Sequence, residues 1–449
     1  MAGAAAAAAA FLSLLGVAWT PVAEVLLVGV AGAYLATGRC GILTPAARAD
    51  INRVVYAVFT PALMLASLAA TVTLHDAISW WFMPLNIGIV FLMGGVLGWV
   101  AVLLLRPPHH LRGLLIASCS APNLGNLLLI VIPAVCQQHG DLDMDGGRAG
   151  EQSSCTRRGL SYASFSMAIG GFYIWTHTNS LMKRAGQIYR SRSGMMKQAS
   201  CVVSDPEKET NSAKPAEEED AVEEQWNHQE DDDIISMSSA KSVQETLLPL
   251  LSSYHHHLRG KSNKLQLHWE KLKESTLQIL HELTAPPTIG AVMGLVIGAV
   301  PWLKSAFVGS NAPLRAVYNS LKLLGDGTIP CVTLILGGNL TKAAGARTSA
   351  VPSAVVAAII GVRYVILPAM GVMVVRAARQ MGFLPPDPLF QYVLMIQFAL
   401  PPAMSIGTMS ELYDVAQEEC SVIFLWTYLV AALALTIWST IFISILQHH

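Results

Sequence analysis

Two short apolar stretches carry residues whose types and spacing suit them to bind a small anion: "SAPNLGN" at 120–126 and "ALPPAMS" at 399–405. A proline breaks a helix, because it lacks an N–H group and clashes with the carbonyl one turn earlier. The turn after a break presents unpaired N–H groups and the positive end of the helix dipole, which attract an anion. The amides of Asn123 and Asn126 share a helical face and can donate to a carboxylate. The predicted site residues are Pro122, Asn123, Asn126, Pro401, Pro402 and Ser405.

The rest of the sequence indicates that these breaks lie inside a membrane. Hydrophobic residues make up 53% of the 449 positions and charged residues only 13%, about half the charge of an ordinary soluble domain. Ten mainly apolar runs are long enough to cross the roughly 30 Å hydrocarbon core of a bilayer. They are 14–38, 51–73, 80–105, 112–136, 160–182, 286–304, 318–341, 350–377, 389–413 and 420–446. The sequence therefore predicts an all-α membrane protein with ten transmembrane helices.

The runs fall into two groups of five, and prolines recur at similar intervals in each group. A repeated unit of five helices enters the bilayer from the opposite side the second time, which makes the repeat inverted. We therefore expect two inverted five-helix repeats in which helices 4 and 9 are the proline-broken crossover helices. Broken backbone cannot face lipid, so both breaks must face protein or a water-filled cavity.

A long polar segment separates the two predicted repeats. Thirteen of the chain's 30 acidic residues lie between Asp205 and Asp233, and so polar a segment cannot bury enough surface to fold. Apolar positions between 265 and 283 are typical of a short amphipathic helix. The predicted domains are a first membrane repeat at 10–184, an acidic, largely disordered loop at 185–283, and a second membrane repeat at 284–449.

Several motifs in the two membrane halves occur together, and in the same order, in a known family. They are "INRVVYAVFTPALML" (51–65), "SAPNLGN" (120–126), "LGDGTIPCVTLILGGNL" (324–340), "RYVILPA" (363–369) and "FALPPAMSIGTMSELY" (398–413). With these motifs the chain resembles the PIN-LIKES (PILS) auxin carriers of plants and, more distantly, the PIN auxin efflux carriers. The resemblance implies ten spans in two inverted repeats, a proline crossover at helices 4 and 9, and transport of indole-3-acetic acid at the endoplasmic reticulum. The central loop is long and acidic for this family.

Three further charged residues are candidates for coupling or support of the site. Arg363 lies in the middle of the predicted eighth helix, where an unpaired charge is costly, so it either braces the bundle or contributes positive charge to the site. Asp326 either titrates as a proton-coupling group or caps a helix N-terminus. Asp76, in the short "LHDA" segment, is either a solvated turn residue or a supporting carboxylate.

The sequence contains no pattern typical of a cofactor, a metal site or an enzyme. The seven cysteines are scattered and form no CxxC pair, so we expect small buried thiols rather than a disulfide framework or a zinc site. Phosphate loops, nucleophile elbows, HExxH motifs and signatures of nucleic-acid binding are absent. We expect no cofactor, no nucleic-acid partner and no catalytic activity. A membrane enzyme or receptor that uses the breaks as a ligand pocket remains an alternative.

The function that we expect is a membrane carrier of auxin and similar weak organic acids, which works by alternating access. An ion-coupled carrier of another organic anion, either of the bile-acid type or a dicarboxylate, remains open, as does a homodimer. Basic residues in the loops after helices 1 and 3 and after helix 5 share one face, which should be cytosolic. This arrangement predicts a cytosolic central loop and lumenal or extracellular termini, although Arg148, Arg157 and Arg158 oppose it.

Overall fold

A computed structural model describes residue 19 and residues 23–138, 152–203, 284–345 and 351–447, and these residues form helices joined by short connections. The first half contains α1 (Ala23–Ala36), α2 (Pro45–Thr71), α3 (Leu74–Ser79), α4 (Phe82–Leu105), α5 (His109–Ser120), α6 (Asn126–Gln138) and α7 (152–203). The second half contains α8 (Pro286–Ala299), α9 (Pro301–Phe307), α10 (Arg315–Asp326), α11 (Thr328–Gly345), α12 (Ser353–Gln380), α13 (Pro388–Ile396), α14 (Ser405–Tyr413) and α15 (Gln417–Gln447).

Five helices in the described part of the chain are long and apolar enough to cross a membrane. They are α2, α4, Arg315–Thr341 (formed by α10 and most of α11), α12 and α15. A sixth candidate is the pair α8 and α9, which is bent by 108°, and α1 is a shorter apolar helix. The all-helical membrane architecture is thus confirmed, whereas ten spans and an inverted repeat stay predictions.

Helices 4 and 9 of the predicted scheme are each divided into two short helices. The fourth consists of α5 and α6, which are separated by residues 121–125, and the ninth consists of α13 and α14, which are separated by residues 397–404. Both interruptions coincide with the prolines identified from the sequence. The physical reason is local, because a proline cannot supply the hydrogen bond that continues a helix.

The helix α7 continues to Val203, past the domain boundary predicted at 184, and that boundary stays a prediction. No proline occurs in the chain between Pro133 and Pro206, and the residues after Lys183 include arginine, lysine, glutamine and methionine, which favour helix. The acidic segment and the amphipathic helix predicted at 265–283 lie outside the described residues. Among the described residues, those up to Ser193 and those from 284 onward belong to one compact unit.

The disulfide Cys136–Cys155 corrects the expectation that the cysteines are free thiols. Cys136 lies near the end of α6 and Cys155 near the start of α7, with their Cα atoms 5.8 Å apart. The two helices pack against each other, so residues that are separated by a loop in sequence meet in space. Cys40, Cys119, Cys331 and Cys420 are free.

The outer surface of the long helices is apolar, as expected of helices in contact with lipid. Leu92, Trp99 and Leu104 on α4 and Met373 on α12 are all more than half exposed, an arrangement that an aqueous surface would not favour. Buried polar side chains, by contrast, include Asn86, Ser166, Arg363 and Gln397 in the interior of the bundle. Function is therefore to be sought in the interior of the bundle.

Three glycines at four-residue intervals allow α8 to approach α2 closely. A Cβ atom on Gly290, Gly294 or Gly298 would lie within 3 Å of the backbone of α2, 2.7 Å from the Leu65 carbonyl oxygen in the case of Gly294. Small residues at this spacing let membrane helices pack with their backbones in contact.

We expect Gly294→Ala to lower the melting temperature of the purified protein, because the added methyl group must push α8 away from α2. Gly361→Ala is the matched control: Gly361 is also helical, but its Cβ would have no neighbour within 4 Å, so alanine should be neutral or slightly stabilising there. Equal melting temperatures for the two variants would contradict the close packing of α8 on α2.

Candidate functional site

The two helix breaks pair with each other through their backbones. Pro122 and Pro402 face each other as a single antiparallel bridge. The Asn123 N–H donates to the Pro401 carbonyl at 2.8 Å, and the Ala403 N–H donates to the Ala121 carbonyl at 2.9 Å. Groups that the helices leave unsatisfied are thereby satisfied between the breaks. We call residues 121–123 and 401–403 the paired breaks.

A tyrosine from α15 joins the paired breaks through its side chain. The Asn123 amide nitrogen donates to the Tyr428 hydroxyl at 2.7 Å, and that hydroxyl donates to the Pro402 carbonyl at 3.0 Å. The Asn123 amide oxygen accepts from the Gly125 N–H at 3.4 Å. An amide nitrogen has two N–H donors, so one remains for a ligand.

A cavity of about 570 Å³ opens beside the paired breaks. Asn123, Leu124 and Gly125 line it from one break, and Ala403, Met404 and Ser405 line it from the other. Apolar walls come from α2, α7 and α11 and include Leu63, Met64, Trp175 and Ile329. A cavity of this size, with mostly apolar walls and a few polar groups, is typical of sites for small organic molecules.

Three charged residues, from α1 and α10, also line the cavity. Lys322 donates to the Asp326 carboxylate at 3.4 Å, and both side chains are close to 60% exposed. Glu24 from α1 also lines the cavity. Asp326 is the last residue of α10 and forms an ion pair with Lys322, while its predicted role, either proton coupling or capping of a helix N-terminus, stays a prediction.

The predicted site residues do not all reach the cavity. Asn123, Ser405 and Asp326 line it, whereas Pro122, Pro401 and Pro402 are buried behind it in the paired breaks. Arg363 is buried and absent from the lining. Asn126 begins α6 and Asp76 lies in the short helix α3, but the side chains of both fall outside the described residues.

Sequence reasoning missed several residues of the site. Tyr428, Trp175 and Thr408 line the cavity, yet each lies within a helix whose local sequence gives no sign of a role. Buried aromatic and hydroxyl side chains are common in membrane helices, so only the packing of distant segments identifies these. Lys322 is the exception, since a lysine inside a predicted span is a signal in itself.

Comparison with known proteins identifies the family. The chain is 50% identical to Protein PIN-LIKES 7 of Arabidopsis thaliana over 437 residues, which cover 97% of this chain and 100% of that relative. The chain belongs to the PIN-LIKES family. Protein PIN-LIKES 5 of the same plant is 48% identical, with 97% of this chain and 99% of the relative covered. Protein PIN-LIKES 3 is 36% identical, with 94% and 95% covered.

A broader family described as membrane transport protein matches residues 17–439 of this PIN-LIKES chain. The family membership suggested by the motifs is thus confirmed, and membrane transport is established as the function of the family. In this member of the family, the paired breaks and the cavity beside them are the candidate substrate-binding site.

We expect Tyr428→Phe to destabilise the protein, because it removes the hydroxyl that bonds to both Asn123 and Pro402. Each buried polar group left unsatisfied costs about 1–3 kcal/mol. Tyr392→Phe is the matched control, since the hydroxyl of Tyr392 is also buried but bonds to one side chain, Ser439, at 2.9 Å. Thermal unfolding in lipid nanodiscs should show the larger loss for Tyr428→Phe; an equal loss would mean that Tyr428 does not hold the breaks together.

Proposed function

We propose that this PIN-LIKES chain carries auxin, namely indole-3-acetic acid and similar weak organic acids, across a membrane by alternating access. The observation that carries the proposal is the cavity of about 570 Å³ at the paired breaks, where amide and hydroxyl groups and the start of α14 meet apolar and aromatic walls. An ionised weak acid crosses hydrocarbon too slowly without a carrier. A site with donors at one end and apolar walls at the other matches a carboxylate attached to an aromatic ring.

The carboxylate is proposed to bind at the second N–H of Asn123 and at the first turn of α14, which begins at Ser405. In that turn the N–H groups of Ile406 and Gly407 already donate to the carbonyls of Ala403 and Met404, so the anion is proposed to meet the Ser405 hydroxyl and the positive end of the helix dipole. The indole ring is proposed to lie against Trp175 and the aliphatic side chains of α2 and α11. Proton coupling through Asp326 and a supporting role of Asp76 remain part of the proposal.

Ten spans in two inverted repeats are part of the same proposal. The antiparallel pairing of Pro122 with Pro402 supports it, because two segments related by an axis in the membrane plane run in opposite directions where they cross. Movement of one group of helices against the other would then open the cavity to each side in turn.

The orientation in the membrane is supported by two opposite faces of the bundle. The first face is identified by contacts between the start of α5 and the start of α15 (His110 to Glu419, 3.4 Å) and between α2 and α14 (Asn52 to Thr408, 3.0 Å). Near this face lie the start of α2, the connection from α4 to α5 and the part of α7 that packs on α5. These segments carry Arg48, Arg53, Arg106 and Lys183, and basic residues favour the cytosol.

The second face carries the disulfide Cys136–Cys155. The starts of α7 and α13 meet near this face, where Tyr162 donates to Asp387 at 2.7 Å. Disulfides persist in oxidising compartments such as the lumen of the endoplasmic reticulum. We therefore propose that the disulfide face is lumenal and the basic face, with the central loop, cytosolic, in the endoplasmic reticulum membrane that the family resemblance implies.

Another organic anion, either of the bile-acid type or a dicarboxylate, is the alternative substrate. A dicarboxylate requires a second cationic group, and the lysine in the cavity, Lys322, is already paired with Asp326. A large steroid acid would need to fill most of the cavity, whereas an indole acid fits with room for water. These two features favour a small monocarboxylate.

We expect Asn123→Ala to weaken binding of indole-3-acetate by one to two orders of magnitude. The reason is that the change removes a hydrogen bond to a charged group, which is worth roughly 1.5–3 kcal/mol. Indole-3-acetamide should bind poorly to the parent protein, and its affinity should fall less than that of the acid when Asn123 is replaced. Asn179→Ala is the matched control, because the buried Asn179 also bonds to a tyrosine, Tyr413, but does not line the cavity. Equal losses for acid and amide would mean that Asn123 only shapes the break.

We also expect protease added to intact microsomes to cleave the chain between 205 and 245, while an epitope tag inserted between 139 and 151 stays protected. Both sites should become accessible after the membrane is permeabilised with detergent, which serves as the control. The opposite pattern in intact vesicles would reverse the proposed orientation.

A further inference from the structure

Arg363 is a buried charge that has no hydrogen-bond partner among the described residues. Its side chain is 0% exposed, and within the described part of the chain none of its three guanidinium nitrogens has a hydrogen-bond partner. A guanidinium is always protonated in practice and carries five N–H donors. Moving such a group from water into a protein interior carries a large desolvation penalty unless another group compensates for it. We therefore expect a negative charge or hydrogen-bond acceptors near the arginine.

The surroundings of Arg363 contain no such group among the described residues. Arg363 lies in a π-helical turn of α12, Val362–Ile366, a local widening that is frequent at functional sites. The ionisable side chains near enough to interact with it are Cys119, Tyr364 and Tyr428. A thiol and two phenols are neutral at physiological pH, so none of them neutralises the arginine.

A structural brace would have a different geometry. Arginines that brace a helix bundle donate to backbone carbonyls or carboxylates, as Arg48 does here when it donates to the Leu43 carbonyl at 3.0 Å. Arg363 makes no such bond within the described residues. Its position therefore costs stability in the unliganded protein, which implies that the charge is retained for another reason.

Tyr428 connects this charge to the cavity. It interacts with Arg363, bonds to Asn123 and Pro402, and lines the cavity wall. Arg363 is thus linked to the paired breaks and to the cavity wall through one side chain, that of Tyr428. A charge on Arg363 and a charge on a ligand in the cavity would interact appreciably, because the medium between them has a low dielectric constant and little salt can enter it.

We propose that Arg363 is the buried countercharge of the transported ligand, a positioning residue that makes the site select organic monoanions over neutral analogues and dianions. The inference rests on the proposed function, since it concerns the same cavity. One buried positive charge is balanced by one carboxylate. A neutral analogue leaves the arginine uncompensated, and a dianion brings a second charge for which the paired Lys322 is not available.

The test measures ligand binding and unliganded stability of the full chain in lipid nanodiscs. Arg363→Met should weaken binding of indole-3-acetate by about tenfold or more and change binding of indole-3-acetamide by less than about twofold, so that the preference for the acid is lost. Arg363→Lys should restore most of that preference. Tyr364→Phe, which removes a neighbouring buried hydroxyl bonded to the Thr427 carbonyl, should keep it.

Unliganded stability separates a countercharge from a brace. Replacing a buried, uncompensated ion with an apolar side chain of similar length is often neutral or stabilising, so the melting temperature of Arg363→Met should equal or exceed that of the parent. A fall in melting temperature with equal losses for acid and amide would overturn the proposal, as would an unchanged preference for the acid.

The same experiment distinguishes failure of this inference from failure of the proposed function. If the parent binds neither indole ligand, the auxin proposal fails, and benzoate and benzamide then replace the indole pair. Loss of benzoate preference in Arg363→Met would still support the countercharge. Equal binding of benzoate by the parent and the variant would overturn it.

Discussion

The structure depends on one constraint: backbone groups freed by prolines inside an apolar bundle must find partners other than water. Each break supplies what the other lacks, since the N–H of Asn123 reaches the Pro401 carbonyl and the N–H of Ala403 reaches the Ala121 carbonyl. Neither break would be tolerable alone in hydrocarbon. The two halves of the chain must therefore fold against each other at this point, and the positions of α5, α6, α13 and α14 follow from that pairing.

Polar side chains also form hydrogen bonds that connect the breaks to the surrounding helices. Gln397, at the end of α13, accepts from Asn86 at 2.8 Å and donates to Ser166 at 2.9 Å, which connects α4 and α7 to the second break. Tyr428 does the same for α15. The interior thus contains a hydrogen-bonded layer at mid-bundle between apolar packing, such as the close contact of α8 with α2, on the other faces. A layer of this kind fixes geometry while it leaves room for a cavity.

The parts of the structure that could be predicted from sequence are those set by local chemistry. A proline interrupts a helix wherever it occurs in its interior, so both breaks were found, and the family motifs around them gave the correct family. Tyr428 could not be found, because its role depends on how α15 packs 300 residues away from Asn123. The pairing of Cys136 with Cys155 and the extension of α7 to Val203 likewise depend on packing and on the absence of a stop signal, which spacing rules do not capture.

The pairing of the breaks also determines which groups remain for a ligand. The N–H groups of Asn123 and Ala403, which the prolines would otherwise expose, are used in the bridge and cannot bind an anion in this state. The second N–H of the Asn123 amide remains, whereas in the turn that begins at Ser405 the N–H groups of Ile406 and Gly407 already donate to the carbonyls of Ala403 and Met404. The prolines therefore determine the backbone geometry of the paired breaks, and the neighbouring residues determine which groups can bind a ligand. Carriers with the same breaks can accordingly differ in substrate through residues one turn away.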